Sequence, residues 1–397
     1  MFWKRRTYLD SAAGMSGNPS SPHEEGRRAK QMLEEARTTI ARLVEVQSDD
    51  VIFTSGATEA NALAILGYVR ALRLCAGSDV PGRNNMHVLY LPSAHTSIVE
   101  NARLLATEGI IVEPLPIKDY RVDTDALETM LRKETVLVSM DAVCGETGVV
   151  WNTREVAEVL RKFHTAANGT EVRLPYQVGK SDFHTTLLHV DASQAPLTEK
   201  VTRAHFGADM LVLDASKVGE IRGIGALIAH RTIPLVPFYE GGGQERGLRP
   251  GSEAPELASR FAAALRAAAR GHETFRTAAK RERARLIEVL MKNIPNMRVQ
   301  EGRAQAPNIL NLSLPDRDAD YLVALLDEAG FALSTRSACE TDSEEGSRAV
   351  FALTGDRERA RSTLRVSWGP EVRPRELAAF AKALAQAVAF VDSSGRR

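Results

Sequence analysis

Four residues stand where a strand end or loop would display them, and a fifth sits inside an apolar strand. Lys217 follows the apolar stretch DMLVLDAS and precedes glycines in DASKVGEIRGIGAL. A lysine enclosed there loses proton affinity and forms Schiff bases, whereas one left in water is an ordinary solvated charge. Asp191 closes the apolar run in HVDASQ, with Gln194 three residues on. A carboxylate at such a place needs partners: either backbone donors, as in a helix cap, or a cation such as a protonated pyridine nitrogen. His95, in PSAHTS, is either a structural histidine or a ring stacked on a planar cofactor. Arg365 interrupts the apolar STLRVSWG and calls for an acidic partner or a ligand carboxylate. Cys339 heads the polar stretch CETDSEEGS. It is either a small residue ending a strand or a nucleophile on a loop.

Two loops add anion chemistry. TSGATEAN sets Gly56, Ala57 and Thr58 between a strand and a helix start, where free N–H groups and the helix dipole favour phosphate. The same residues also read as a common turn and cap. GGGQERGLRPGS carries Arg246, Arg249 and Ser252. It is either a domain linker or an anion-contacting loop that crosses to a partner subunit. A phosphate cup, a ring-nitrogen acid, a Schiff-base lysine, a carboxylate clamp and a late loop cysteine together point to pyridoxal 5′-phosphate.

The elements that must position these residues alternate. Short apolar runs (VIFTS, MHVLYLP, TVLVSMDAV, LLHVDAS, DMLVLDAS) are separated by stretches of helical periodicity. That rhythm predicts an α/β fold, a mostly parallel sheet covered by helices, which binds ligands at the carboxyl ends of its strands. Past residue 252 the pattern changes to a long Ala/Arg/Glu-rich helix and a smaller α/β unit. We assign residues 1–20 to an N-terminal segment packing on the small domain, 21–252 to the large domain and 253–397 to the small domain carrying the cysteine loop. Residues 164–185 break the rhythm as an insert. Ser97 and Glu100 read as a capping box opening a helix, and a strand is expected to lead into Cys339.

Composition narrows the function classes. Of 397 residues, Lys plus Arg and Asp plus Glu each number 51. A net charge of zero gives no basic patch for nucleic acid. No apolar run reaches membrane-span length, and the N-terminus lacks the apolar core of a signal peptide. Three cysteines, Cys75, Cys144 and Cys339, have no metal or disulfide spacing. A cytoplasmic protein without a metal site is therefore expected.

The motifs GNPSSPHEEGRRA, FTSGATEAN, VDASQ, SK…GIGAL, GGGQERGLRPGS, PNILNLSL, RSAC and STLRVSWG occur in an order that resembles the cysteine desulfurases of the NifS/IscS-like group. These are fold-type I, class-V aminotransferase-like enzymes that use pyridoxal 5′-phosphate, and the resemblance covers nearly the whole chain apart from the insert. It implies that Lys217 is the Schiff-base lysine, that Asp191 keeps the ring nitrogen protonated, that Gln194 bonds the ring oxygen and that His95 stacks on the ring. It gives Ala57 and Thr58 to the cofactor phosphate and Ser252 to the phosphate of the other subunit, and Ser216, though it departs from the family pattern, can still donate to the phosphate. Arg365 would hold the carboxylate of L-cysteine, and Cys339 would take its sulfur as a persulfide, releasing L-alanine. A homodimer and a sulfur-acceptor or scaffold protein for iron–sulfur cluster or thio-cofactor assembly follow from the same likeness. Three positions depart from the family pattern. Asp214, Ala215 and Ser216 replace Ser-x-His before the lysine, and an ionised Asp214 repels phosphate. Gly145, in CGETG, stands where the family has an asparagine. Glu340 and Asp342 beside Cys339 raise its thiol pKa. Another pyridoxal-phosphate lyase, such as a selenocysteine lyase, or a non-catalytic scaffold of the same fold are the alternatives these changes leave open.

Overall fold

The computed structural model describes residues 6–75, 85–168, 186–335 and 346–394. Cys339 and residues 169–185 of the expected insert lie outside the described residues.

Seven strands form the central sheet: β1 (Val51–Thr54), β2 (His87–Tyr90), β3 (Ile111–Pro114), β4 (Thr135–Asp141), β5 (Leu187–Asp191), β6 (Met210–Asp214) and β7 (Gly225–Ala229). Their order is β1-β7-β6-β5-β4-β2-β3. All run the same way except β7, which is antiparallel to both β6 and β1. Every residue of β4 and β5 is buried, which is why these strands read as continuous apolar runs rather than alternating ones. The helices α1 (Glu24–Val44), α2 (Ala57–Ala62), α3 (Thr96–Thr107) and α4 (Thr153–Asn168) connect or cover them. The helix beginning at α2 continues through a π turn, Leu63–Gly67, into Tyr68–Cys75.

The long helix α5 (Pro255–Asn293) joins two hydrophobic cores. Phe261 and Leu265 in its first half belong to the core around the central sheet, and Leu286 and Leu290 in its second half belong to another. The second core lies against an antiparallel sheet of β8 (Arg298–Val299), β9 (Ile309–Ser313) and β10 (Thr363–Ser367), together with α6 (Ala319–Glu328) and α7 (Pro374–Ser394). The residues before α1 are held against its start: Arg6 pairs with Glu25, and Asp10 with Ser21 and His23.

Two local expectations are corrected. Helix α3 opens at Thr96 with His95 as its cap, the imidazole accepting from the Ser97 amide. Ser97 therefore sits inside the helix and does not head a capping box. Among the described residues the approach to Cys339 holds no strand: residues 331–333 are irregular, and a single bridge joins Ser334 to Arg365.

Candidate active site

The carboxyl ends of β4, β5 and β6 lie side by side and carry most of the site. Asp141 and Asp191 are partners in the β4–β5 register. Asp191 is buried; its Oδ1 accepts from the Ser193 amide (2.9 Å) and its Oδ2 from Asn61 Nδ2 (2.7 Å). Asn61, on α2, gives its other hydrogen to Ser97 Oγ (2.8 Å), and Ser97 Oγ meets His95 Nδ1 (2.7 Å). Asp191 and His95 are thus joined through Asn61 and Ser97. Because His95 Nδ1 accepts from both the amide and the hydroxyl of Ser97, the ring hydrogen lies on Nε2.

Asp141 is fully enclosed, and burial, reinforced by the charge of Asp191, pushes its carboxyl well above the usual range. Burial likewise pushes the Cys144 thiol up to about 12 and His189 down to about 4. Cys144 is therefore an inert core thiol rather than a nucleophile.

Lys217 ends a short 3-10 turn, Ala215–Lys217, that follows β6, and it is exposed. Asp214, the last residue of β6, governs this corner. Its Oδ1 accepts from the amide (2.8 Å) and hydroxyl (2.6 Å) of Ser216, and its Oδ2 accepts from the amide of Ala57 (2.8 Å). Thr58 is exposed one residue further into α2. The glycine of GIGAL has a steric reason: a Cβ on Gly225 would lie 2.7 Å from the carbonyl carbon of Gly56. Only glycine lets β7 approach the start of α2 so closely.

The opposite wall comes from the second core. Arg365, half-buried in the middle of β10, donates to the carbonyl of Gly145 (3.3 Å). A Cβ at position 145 would lie 3.0 Å from Gln194 Nε2, so Gln194 fills the space that a side chain there would need. Gln194 and Arg365 therefore meet at Gly145. The chain on either side of the segment containing Cys339 is fixed here too. Ser334 pairs with Arg365, Ser347 Oγ donates to Glu146 (2.5 Å), and Arg348 donates to the carbonyls of Pro92 (2.5 Å) and Ala94 (2.6 Å), just before His95.

The glycine-rich loop divides its charges differently from the anion role suggested for it. Arg246 donates to the carbonyl of Asp49 (2.9 Å), and Arg249 donates to the carbonyl of Ser252 (3.4 Å) with its Nε 4.0 Å from Glu59. Ser252 is exposed. A separate cavity of about 870 Å³, lined by Trp151, Arg154, Arg276 and Arg283 among others, contains none of the expected site residues.

Asn61, Asp141 and Arg348 were not singled out in the sequence, and Ser97 only as a helix cap. Asp141 had a signal, since it is a polar residue closing an apolar strand. Asn61 stood inside the TSGATEAN motif without a role. Arg348 carried none.

The sequence profile described as Aminotransferase class-V matches residues 6–170 and 174–380. The chain belongs to that family. The chain is 32% identical over 356 residues to "Cysteine desulfurase IscS 1" of Archaeoglobus fulgidus, covering 89% of this chain and 85% of that protein. The solved structure of DndA from Streptomyces lividans is 31% identical, covers 89% of this chain and 92% of its own, and superimposes with a TM-score of 0.70. A NifS-like protein at 24% identity and TM-score 0.80, covering 94% of this chain and 92% of its own, shares the fold.

Class-V aminotransferases are pyridoxal-phosphate enzymes, and the ring end of this site suits that cofactor. Asp191 is a buried carboxylate with two N–H donors in place, suited to a pyridinium nitrogen, and Gln194 occupies the space beside Gly145. The phosphate end differs from the family pattern in that Asp214 already engages its donors.

Proposed function

We propose that this protein is a cysteine desulfurase that converts L-cysteine to L-alanine and keeps the sulfur as a persulfide on Cys339. The observation that carries this reading is the position of Arg365. It lies against Gly145 beside Gln194, and its strand pairs with Ser334, five residues before Cys339. One short wall thus offers a carboxylate clamp and the base of the cysteine segment.

In this reading Arg365 receives the substrate carboxylate, and Asp191, Gln194 and His95 hold the cofactor ring. The bound cofactor supplies an electron sink for the charge left at Cα. Lys217 binds the cofactor aldehyde and takes the Cα proton. The Cys339 thiolate attacks the substrate sulfur, so an S–S bond forms as the Cβ–S bond breaks. L-alanine leaves, and the persulfide passes to an acceptor or scaffold protein. Ser252 and its loop belong to a homodimer contact, and residues 21–252 form a large domain and 253–397 a small one, with the first half of α5 packing back on the core around the central sheet. A cytoplasmic site of action fits the unpaired thiol chemistry. No described helix is long and apolar enough to cross a membrane.

The test is alanine release from L-cysteine by the cofactor-loaded protein, with mass analysis of the Cys339 peptide. Alanine together with a peptide heavier by one sulfur supports the reading, and Cys339→Ala is expected to abolish sulfur transfer. A loaded protein that forms no alanine overturns it. Full activity in Cys339→Ala assigns the chain to the lyase alternative.

A further inference from the structure

The carboxylate of Asp214 holds three donors at the end of β6. Two are backbone amides, of Ala57 and Ser216, each at 2.8 Å, and the third is the Ser216 hydroxyl at 2.6 Å. They come from two elements, the start of α2 and the turn carrying Lys217, 157 residues apart for the Ala57 contact. Backbone N–H groups and a hydroxyl converging at a helix start are the usual means of binding a phosphate monoester. Here the anion they hold belongs to the protein. Glycine at 56 leaves room for the half-buried carboxylate: a Cβ there would lie 3.3 Å from Asp214 Oδ2, and Gly225 lies against Gly56.

Resting on the reading of Lys217 as the cofactor lysine, we propose that Asp214 is an internal anion in the phosphate cradle. It sets the selectivity of this protein between phosphorylated and unphosphorylated pyridoxal. A phosphate must displace the carboxylate from its donors or lie beside a like charge. An uncharged 5′-hydroxymethyl group meets no such cost and can donate a hydrogen bond to Asp214. The phosphorylated form therefore loses most of its usual advantage and is held in an exchangeable way.

The test uses full-length protein freed of cofactor and titrated separately with pyridoxal 5′-phosphate and with pyridoxal. The visible band of the Lys217 adduct is the readout, and Lys217→Ala is the control. In the wild type the two affinities are expected to lie within about tenfold of each other. In Asp214→Ser the phosphate ester is expected to bind at least about tenfold more tightly, with pyridoxal unchanged or weaker; tenfold corresponds to one decade in the equilibrium constant, about 1.4 kcal/mol. Asp214→Asn keeps the side chain's size and an acceptor for Ser216, so it guards against misfolding of the serine variant and should show the same selectivity change. Equal movement of both affinities, or movement of neither, assigns Asp214 a merely structural role and overturns the proposal. Absence of a band with either compound in every protein that retains Lys217 overturns the cofactor-lysine reading itself.

Discussion

Asn61 places its side-chain nitrogen 2.7 Å from Asp191, 130 residues away in the chain. The same nitrogen reaches Ser97 at 2.8 Å, and through it His95. One amide thus fixes both the carboxylate at the end of β5 and the imidazole before α3. Asn61→Ala is expected to leave Asp191 short of a donor in a buried place, costing about 1–3 kcal/mol in urea unfolding. It should also lower kcat/KM for alanine release about tenfold or more, since the two groups proposed to hold the cofactor ring lose their anchor. A stability loss with unchanged kcat/KM would show that the network serves the fold alone.

The sequence made the frame of this site legible but not its cross-connections. Buried parallel strands are apolar along their length, so β4, β5 and β6 could be located, and the polar residues closing them, Asp191 and the Asp214–Lys217 turn, marked the site. Asp214 was also readable as a group that repels phosphate. That its carboxylate takes the amide of Ala57 was not readable, because the contact depends on how β6 and α2 meet. The same holds for Asn61 with Asp191. The Ser97–Glu100 capping box failed because His95, two residues earlier, caps the helix, and Ser97 Oγ also takes a tertiary partner, Asn61, that local pattern cannot reveal. Of the expected strand before Cys339, the described residues show one bridge, because among them only Ser334 pairs with β10.

His189 gives the protein an acid limit. Burial holds its ring near 4 in the folded state, well below the value of about 6.5 for an exposed histidine. Between those values the unfolded chain binds the proton and the folded chain does not. Stability is therefore complete above about pH 6.5 and falls as pH drops toward 4. The ring bonds Ser139 Oγ through Nδ1 (2.8 Å), a contact that an asparagine can replace in part. His189→Asn is expected to flatten the loss of urea midpoint between pH 6.5 and 4 by a few kcal/mol. Unfolding midpoints of both proteins across that range check it; parallel curves would assign the acid sensitivity to groups other than His189.

Arg37 and Glu245 form a buried two-point pair, with nitrogen–oxygen distances of 2.8 and 2.7 Å, and Glu245 also accepts from the amide of Phe53 (2.8 Å). Burial works against the Arg37 charge, but the hydrogen bonds and charge of Glu245 outweigh it and raise the guanidinium's pKa. The pair holds the glycine-rich loop in a left-handed backbone, with φ of 47° at Glu245 and 61° at Arg246. Glu245→Ala leaves a buried guanidinium without its partner and is expected to cost about 3–5 kcal/mol. Adding Arg37→Met should recover part of that loss, because the orphaned charge is removed with it. Urea unfolding of the two single variants and the double variant measures the coupling; simple additivity would mean that the pair contributes only through shape.

Arg365 offers the sharpest separation of binding from chemistry. Its guanidinium already meets the carbonyl of Gly145 at 3.3 Å, and its planar fork has donors left for a carboxylate. A lysine in its place keeps the charge but presents a single ammonium, which cannot bond Gly145 and grip a carboxylate in two places. If Arg365 clamps the substrate in the ground state and the transition state alike, Arg365→Lys raises KM for L-cysteine by about ten- to a hundredfold and leaves kcat within a few-fold. The hydrophobic neighbours Leu364 and Val366 keep β10 in its sheet, so the variant should fold with an unchanged melting temperature. Steady-state alanine release over a wide range of L-cysteine concentration gives both constants. A fall in kcat at unchanged KM would remove Arg365 from the carboxylate site and place it in the sulfur-transfer step, on the side of the strand where Ser334 pairs.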